Sequence, residues 1–172
     1  MTNTLQIKLL SDNATLPTRN YDTDAGFDIY AAETVILEPQ EKALIATDIA
    51  VNIPKGYVGL LTSRSGVSSK THLVIETGKI DAGFTGNMKI NIKNDTQKNV
   101  ATNTYTYGKY LDIEGKEIVD SHVKLGNTYR VSKGERIAQL VIVPIWTPEL
   151  QQVEEFDSES ARGEKGFGSS GI

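Results

Sequence analysis

The sequence predicts an all-β protein with a sandwich or barrel architecture. Most of the chain consists of short runs rich in β-forming residues, separated by turn residues. One run, Met88-Lys89-Ile90-Asn91-Ile92-Lys93, alternates apolar and polar side chains, which is the pattern of a half-buried strand. The prolines lie near the ends of such runs, where they do not interrupt a strand ladder, and no long segment has the periodicity of a helix.

The predicted strands follow one another along the chain. They cover residues 5–10, 43–53, 57–62, 73–77, 88–93 and 137–145. Residues 136–145 form an almost unbroken apolar run, which is typical of a strand that is buried on both faces. Residues 68–72 are expected to form one helical turn, so helix contributes little to the fold.

The composition restricts the classes of function that are open to the chain. Its 172 residues suit a single domain, and no apolar run approaches the length of a membrane span. The absence of cysteine excludes disulfides and thiolate metal sites. Because the net charge is −4, direct nucleic acid binding is not expected, and an anionic ligand would need a local cluster of positive groups. We expect a cytoplasmic protein that binds no membrane.

A polar stretch, residues 94–127, has the composition of an added segment, because it is rich in Thr, Asn and Tyr. Within it, Glu114-Gly115 separates two short β-forming runs, a pattern that predicts a hairpin turn. The segment contains three tyrosines, namely Tyr105, Tyr107 and Tyr110. These rings either form a contact surface or cover their own hairpin, and the second alternative is favoured because amphipathic rings pack locally as readily as they bind.

Two segments after predicted strands carry residues suited to phosphate chemistry. Ser63-Arg64-Ser65-Gly66 can present a guanidinium, a hydroxyl and backbone N–H groups to a phosphate, or it can be an ordinary turn that ends a strand. Gly78-Lys79-Ile80-Asp81-Ala82-Gly83-Phe84-Thr85-Gly86 is a Gly-rich hairpin between two strands. In it Asp81 either holds and deprotonates a water or hydrogen-bonds its own backbone.

Two further segments add carboxylate and amide groups. Asp24-Ala25-Gly26-Phe27-Asp28 supplies two carboxylates just before a strand, which suit either a water-mediated contact with Mg²⁺ or turn capping. Gly134-Glu135-Arg136-Ile137-Ala138-Gln139 leads into the apolar strand, where Gln139 stands among apolar residues. A buried amide needs partners, so Gln139 belongs either to a structural network or to a ligand site.

Residues 162–172 combine several glycines with one arginine, one aromatic ring and two adjacent serines. Glycine loses conformational entropy on ordering, so this segment is expected to be loose until a ligand organises it. An anion for Arg162 and a flat ring for Phe167 would organise it. The alternative is a flexible tail without a function.

Taken in order, these segments resemble the five motifs of the homotrimeric dUTP pyrophosphatases, the dUTPases, over nearly the full chain. The matching segments are Ala25-Gly26-Phe27-Asp28-Ile29-Tyr30, Arg64-Ser65-Gly66, Gly78-Lys79-Ile80-Asp81-Ala82-Gly83-Phe84, Gly134-Glu135-Arg136-Ile137-Ala138-Gln139-Leu140, and Arg162-Gly163 with Gly166-Phe167-Gly168-Ser169-Ser170. Phe84 stands where the family usually has tyrosine, so a contact through a phenol hydroxyl is lost. Residues 97–126, between the third and fourth motifs, resemble the extra segment of phage-encoded dUTPases.

The resemblance implies a jelly-roll-like β domain, residues 1–160, in a homotrimer, and an arm, residues 161–172, that closes on the active site of a neighbouring subunit. It implies hydrolysis of dUTP to dUMP and diphosphate with Mg²⁺, which limits uracil in DNA and supplies dUMP for dTMP synthesis. Asp81 would activate the water that attacks the α-phosphorus, and Asp28 would reach Mg²⁺ through water.

The resemblance also implies the substrate contacts. Main-chain groups of the hairpin would bind uracil, phosphates would be held by the second motif and Gln139, and the arm would cover the nucleotide, with Phe167 stacked on uracil. The implied substrate-binding residues are Arg64, Ser65, Gly66, Gly78, Lys79, Ile80, Phe84 (against the deoxyribose), Lys89, Gln139, Arg162, Phe167, Gly168, Ser169 and Ser170.

Phage enzymes of this type also resemble regulators that bind other proteins, so a protein partner for residues 97–126 is a hypothesis. Two other functions compete with the dUTPase interpretation. A dCTP deaminase would rely on a glutamate near the base and would lack the terminal arm. A non-catalytic β-sandwich binding module would not need Asp81, the Arg64 turn and the arm together. The release of pyrophosphate, of ammonia or of neither product distinguishes the three.

Overall fold

Strands make up nearly all of the regular structure in the computed structural model, which describes residues 4–97, 105–158, 160 and 163, with the backbone alone for 105–108 and 120–124. The elements are β1 (Gln6–Leu9), β2 (Gly26–Tyr30), β3 (Val35–Leu37), β4 (Lys42–Ala46), β5 (Ile49–Asn52), β6 (Tyr57–Ser63), α1 (Ser65–Lys70), β7 (Leu73–Ile75), β8 (Gly78–Ile80), β9 (Lys89–Asn94), β10 (Tyr105–Leu111), β11 (Glu117–Leu125), β12 (Tyr129–Val131) and β13 (Arg136–Pro144). The predicted all-β class is confirmed.

The described strands form four small sheets around one core. Their strand orders are β1-β5, β11-β10-β12-β3, β2-β13-β6-β8 and β4-β9-β7. The core contains fully buried aliphatic side chains from each of the three larger sheets, among them Leu37, Leu61, Ile90, Ile92 and Leu140. Each such side chain stabilises the fold by about 1.5–3 kcal/mol relative to leaving it in water.

Three predicted elements differ in detail from the observed ones. The predicted strand at residues 43–53 is split into β4 and β5, because Asp48 takes a positive φ of 52° and turns the chain. The helical turn begins earlier than predicted, at Ser65, and ends where the Thr71 side chain donates to the carbonyl of Val67 at 2.7 Å. In strand β13 only Ile137, Ala138 and Leu140 are buried, so the prediction of burial on both faces is wrong, above all for the part from Val141 onward.

The added segment folds as predicted into a hairpin, in which β10 and β11 pair antiparallel. It joins the sheet of β3 through a single parallel pairing of Leu111 with Tyr129. Tyr110 is 3% exposed, which agrees with the interpretation that this ring covers its own hairpin. The side chains of Tyr105 and Tyr107 lie outside the described residues.

Asn94 fastens the base of this segment to the core. Its amide nitrogen donates to the carbonyl of Leu37 at 3.0 Å and to that of Asn127 at 2.9 Å, while its amide oxygen accepts from the backbone of Thr96 at 3.1 Å. The residue is fully buried, so these groups have no access to water. One side chain therefore joins the end of β9 to β3 and to the turn before β12.

Within the described ranges, no helix has the length and apolar character needed to cross a membrane.

Replacing Asn94 with alanine should lower the free energy of unfolding by about 2–4 kcal/mol, because it leaves buried backbone groups without partners. Urea denaturation at neutral pH measures this loss. Asn91→Ala is the matched control, since Asn91 lies on the same strand but on its other face and donates to the exposed Glu76. The control should lose less than about 1 kcal/mol. Equal losses would show that the buried amide has no special role.

Candidate active site

The register of one sheet brings the first, second and fourth sequence segments together. On β13, Gln139 pairs with Asp28 of β2 on one side and with Thr62 of β6 on the other. Arg64 follows β6 by one residue. The functional side chains of three segments that are distant in sequence therefore lie at one end of this sheet.

Asp28 is the centre of the cluster. It is 4% exposed, and its carboxylate accepts from Arg64 Nε at 2.7 Å, from Arg136 Nη1 at 3.1 Å and from Gln139 Nε2 at 3.4 Å. A buried carboxylate is tolerated only with such partners. Since two guanidinium groups face one carboxylate, the cluster has an excess of positive charge, which suits a phosphate.

Arg136 is a further candidate site residue, which the sequence did not single out. It lies in the fourth segment beside Gln139, and its guanidinium is 41% exposed, so it reaches both Asp28 and the solvent. The turn before it is held by Glu135, whose carboxylate accepts from the backbone of Ser132 at 2.7 Å. Burial raises the pKa of Glu135. The sequence position of Arg136 could have indicated this role, because a guanidinium at the start of a buried strand needs an anionic partner.

The second segment opens helix α1. Arg64 precedes the helix in an extended conformation, and its backbone carbonyl accepts from Val67 and Ser68. Its side chain also donates to the carbonyl of Arg136 at 3.3 Å, so the guanidinium is anchored twice. Ser65 and Gly66 are exposed in the first turn, and a Cβ added to Gly66 would meet no atom within 4 Å. Open space therefore adjoins the first turn of α1 at Gly66.

The third segment is not the paired hairpin that the sequence predicted. Strand β8, with Gly78, Lys79 and Ile80, pairs with β6, whereas β9 pairs with β4 and β7. Close packing explains why β8 is drawn onto β6: a Cβ on Gly59 of β6 would lie 3.2 Å from the Cβ of Ile80. The loop between β8 and β9 therefore crosses from one sheet to another.

Asp81 and Phe84 lie in this loop. Asp81 is exposed, and its backbone carbonyl accepts from the backbone of Phe84 at 3.1 Å across a turn in which Gly83 has a φ of 92°. The Phe84 ring, 46% exposed, lies on Gly86, where a Cβ would come within 2.9 Å of the ring. Glycine at position 86 thus makes room for the ring, and the loop presents a carboxylate and an aromatic face to solvent.

The far end of the loop is clamped to the corner between β4 and β5. Asn87 donates to the Asp48 carboxylate at 2.7 Å, and its amide oxygen accepts from the Asp48 backbone at 3.0 Å. Hydrogen bonds from Ser11 and then Asn87 hold the pKa of Asp48 below its ordinary value. This clamp sets the start of β9, where Lys89 is exposed.

Within one chain, the candidate residues around Asp28 lie far from those around Asp81. Ile80 is level with Gly59 on β6, whereas Gln139 is level with Thr62. With a rise of about 3.3 Å per residue and about 4.8 Å between strands, Asp81 and Gln139 are separated by about 15 Å. The structure therefore joins Asp28, Arg64, Ser65, Gly66 and Gln139 in one half-site and Asp81, Phe84 and Lys89 in another. Arg162, Phe167, Gly168, Ser169 and Ser170 lie outside the described residues.

The chain is similar to known proteins of one family. The model of the family described as dUTPase matches residues 12–107 and 115–171. The deoxyuridine 5'-triphosphate nucleotidohydrolase of Debaryomyces hansenii is 36% identical over 169 residues, which cover 97% of this chain and 87% of that protein.

Two phage proteins of known structure are more similar. The dUTPase of Staphylococcus bacteriophage 80alpha with dUpNHpp is 66% identical with a TM-score of 0.90, covering 99% of this chain and 100% of that chain, and it is described as controlling the transfer of virulence genes by a G protein-like mechanism. The dUTPase of phage phi11 of S. aureus is 64% identical with a TM-score of 0.86, covering 91% and 100%, and is described as having a species-specific insert. A mutant of the phi11 enzyme is described as coordinating a structural Mg(II) ion.

Proposed function

This chain belongs to the dUTPase family and is a dUTP diphosphatase, and on that premise we propose how its residues convert dUTP and water to dUMP and diphosphate. The two half-sites act on the same nucleotide. The loop of Asp81 and Phe84 receives the nucleoside and carries the base catalyst, and the cluster around Asp28 receives the phosphates. A free nucleotide as substrate fits action in the cytoplasm, which is the host cell's cytoplasm for a phage-encoded chain.

Asp81 is the general base of the reaction. Its exposed carboxylate takes a proton from a water molecule as the water oxygen forms a bond to the α-phosphorus. The bond from the α-phosphorus to the oxygen that bridges it to the β-phosphorus breaks, and its electron pair leaves with the diphosphate. The backbone hydrogen bond from Phe84 to Asp81 holds the turn in place for this step.

The phosphates bind at the cluster of positive charge. Arg64, held by Asp28, and the exposed Ser65 and Gly66 contact the phosphates, and Gln139 contacts the α-phosphate. Arg136 adds a second guanidinium that is already fixed by Asp28. Because both guanidiniums are held before substrate arrives, little reorganisation is needed when negative charge develops on the leaving diphosphate.

Mg²⁺ fits this site as an ion carried by the triphosphate. No group of three or more His, Cys, Asp or Glu side chains suited to a metal occurs in the described part of the chain. Asp28 offers one carboxylate whose oxygens already accept from guanidiniums, so a contact through water suits it better than direct coordination. When bound, Mg²⁺ would supply positive charge to the phosphates and the leaving group.

The loop after β8 selects the nucleoside. Main-chain groups of Gly78, Lys79 and Ile80 would read the uracil edge, and Phe84 would pack against the deoxyribose and exclude a 2′-hydroxyl. The exposed ring lying on Gly86 supports this role, because its open face is available to a sugar. Lys89 follows the clamped end of the loop and would touch the nucleotide.

The separation of the half-sites is the observation that carries the assembly proposal. Asp81 and Gln139 both act at the α-phosphorus, yet a single chain holds them about 15 Å apart. A second copy must therefore supply one of them, in agreement with a homotrimer whose sites lie between subunits. The stretch after β13 supports contact between copies, because Trp146, Leu150 and Phe156 are each more than four-fifths exposed in one chain.

Residues 161–172 act as an arm that the β domain of residues 1–160 extends toward a neighbouring subunit. The exposed apolar stretch after β13 directly precedes this arm in the sequence. Phe167 would stack on uracil, and Arg162, Ser169 and Ser170 would meet the γ-phosphate beside Gly168. Closure of the arm would exclude all water except the nucleophile.

The β10–β11 hairpin is proposed to bind a protein partner as a second function. Strand β11 is the edge of its sheet within the described residues, and Val119 on it is 90% exposed. An edge strand offers backbone donors and acceptors to another chain.

Asp81→Asn should lower the rate of pyrophosphate release from dUTP by about 10²–10⁴-fold, because the amide cannot accept the proton of water but keeps the shape of the carboxylate. Binding of dUpNHpp should change little. The assay measures pyrophosphate and ammonia with dUTP and Mg²⁺. Ammonia instead of pyrophosphate would establish a deaminase, and neither product from the unaltered chain would establish a binding module.

A mixed assembly tests the shared site with the same variant. Asp81→Asn and Gln139→Ala chains, unfolded and refolded together, should regenerate roughly a quarter of the sites by random association, since each intact site needs one residue from each copy. Each variant refolded alone is the control. Activity that stays at the sum of the two separate variants would contradict a site shared between copies.

Deleting residues 162–172 should leave a folded trimer whose kcat/KM for dUTP is lower by at least about tenfold, because the nucleotide stays open to water. Light scattering and thermal unfolding verify the assembly, and pyrophosphate release gives the rate. Undiminished turnover in the truncated protein would remove the arm from the mechanism.

Replacing residues 97–126 with a short Gly-Ser linker should weaken the binding of a protein partner by at least about tenfold, since buried interface contacts dominate affinity. A partner captured from host-cell extract by the full chain is identified by mass spectrometry and its affinity for both forms is then measured. Val74→Lys, an exposed position on a different sheet, is the control. Equal affinity with and without the segment would refute this second function.

A further inference from the structure

We propose that the tip of the β10–β11 hairpin, residues 112–116, is a positioning element for helix α1 and thereby for the phosphate-binding turn of Arg64, Ser65 and Gly66. This inference rests on the proposed role of that turn in binding phosphates. It gives residues 112–116 a role in the enzyme itself, separate from any protein partner.

The contact is backbone against backbone. Gly115 has a φ of 76°, and a Cβ at this position would lie 2.6 Å from the carbonyl oxygen of Lys70, the last residue of α1. Real Cβ atoms do not approach an oxygen so closely, so the hairpin reaches the helix only because residue 115 is glycine. At none of the glycines at positions 26, 56, 59, 66, 78, 83, 86, 134 and 163 would an added Cβ come this close to a backbone atom.

The tip is stiff enough to act as a support. The Asp112 carboxylate accepts from the backbones of Glu114 and Lys116, both at 2.8 Å, and the Asp112 carbonyl accepts from Gly115 at 3.0 Å. These bonds fix the turn within itself. The turn therefore needs no contact with α1 to keep its shape.

Charges on the two elements favour the same contact. The pKa of Glu114 is lowered by its hydrogen bond and ion pair with Lys116 and further by the charge of Lys70. An ionised Glu114 thus lies near the ammonium group of Lys70, the residue that the hairpin tip contacts. These groups are exposed, so the attraction adds only a small part to the contact.

The same sheet holds α1 at a second point. Tyr129 of β12, which pairs with Leu111 just before the tip, accepts from the backbone of His72 at 3.1 Å, two residues after the helix. Val67 in the middle of α1 is buried in the core. The end of the helix is thus contacted at two points, by the hairpin tip at Lys70 and by Tyr129 at His72.

A displacement at this end reaches the phosphate turn because α1 is short. Its six residues span about 9 Å, and a helix moves as a rigid body over that length. Ser65 and Gly66 form its first turn, and Arg64 precedes them. Moving Lys70 away from the tip therefore shifts groups that contact phosphates, whereas the loop of Asp81 lies in the other half-site and stays in place.

Gly115→Ala tests the proposal, because its methyl group forces the tip and α1 apart. Gly56→Ala is the matched control: Gly56 has a φ of 85°, so alanine strains the backbone equally there, but its Cβ meets no atom within 4 Å. We expect Gly115→Ala to raise the KM for dUTP and the Kd for dUpNHpp by about tenfold, with kcat changed by less than about twofold. Binding of deoxyuridine, which has no phosphate, should be unchanged.

Asp112→Ala provides a second variant without added volume, since it removes the acceptor that stiffens the tip. It should raise KM in the same direction by about two- to fivefold. Equal KM and dUpNHpp affinity in folded Gly115→Ala, Asp112→Ala and Gly56→Ala proteins would overturn the proposal, as would a parallel loss of deoxyuridine binding. Absence of pyrophosphate release from the unaltered chain and from Gly56→Ala would instead overturn the proposed function itself.

Discussion

The buried carboxylate of Asp28 is the interaction on which the phosphate half-site depends. It holds two guanidiniums and one amide that come from β13 and from the end of β6. Leaving such a buried carboxylate without any cationic partner would cost about 3–5 kcal/mol, because its charge in the interior would be uncompensated. The cluster is therefore both a structural join between three strands and a fixed source of positive charge for an anionic ligand.

Strand β6 imposes the second constraint, since it separates the two half-sites. The Asp28 cluster lies at its C-terminal end and the Asp81 loop beyond its other half. Each half-site is held by its own contacts, the ion cluster on one side and the Asp48–Asn87 clamp on the other. In the proposed mechanism catalysis depends on assembly, because contact between copies brings the general base Asp81 to the phosphates of the same nucleotide. A monomer with that mechanism would bind parts of the substrate without cleaving it.

The added segment is built into the enzyme at several points of contact. Asn94 ties its base to β3, Leu111 pairs with Tyr129, and Gly115 meets the end of α1. An independent appendage would need none of these. The segment is therefore part of the enzyme's own fold, in contact with β3, β12 and α1.

The sequence by itself determined the all-β class, most strand positions, the order of the motifs and the residue types that carry the chemistry. The alternation of apolar and polar residues and the positions of turn residues are local signals, and each motif is contiguous. Both can therefore be read along the chain. Only the tertiary structure decided that Asp28 pairs with Arg136, 108 residues away, and that β8 joins β6 rather than β9. It alone showed that Asp81 and Gln139 are apart and that Gly115 touches Lys70. Such relations depend on strand register and on close approach between distant segments, and a local pattern contains no information about either.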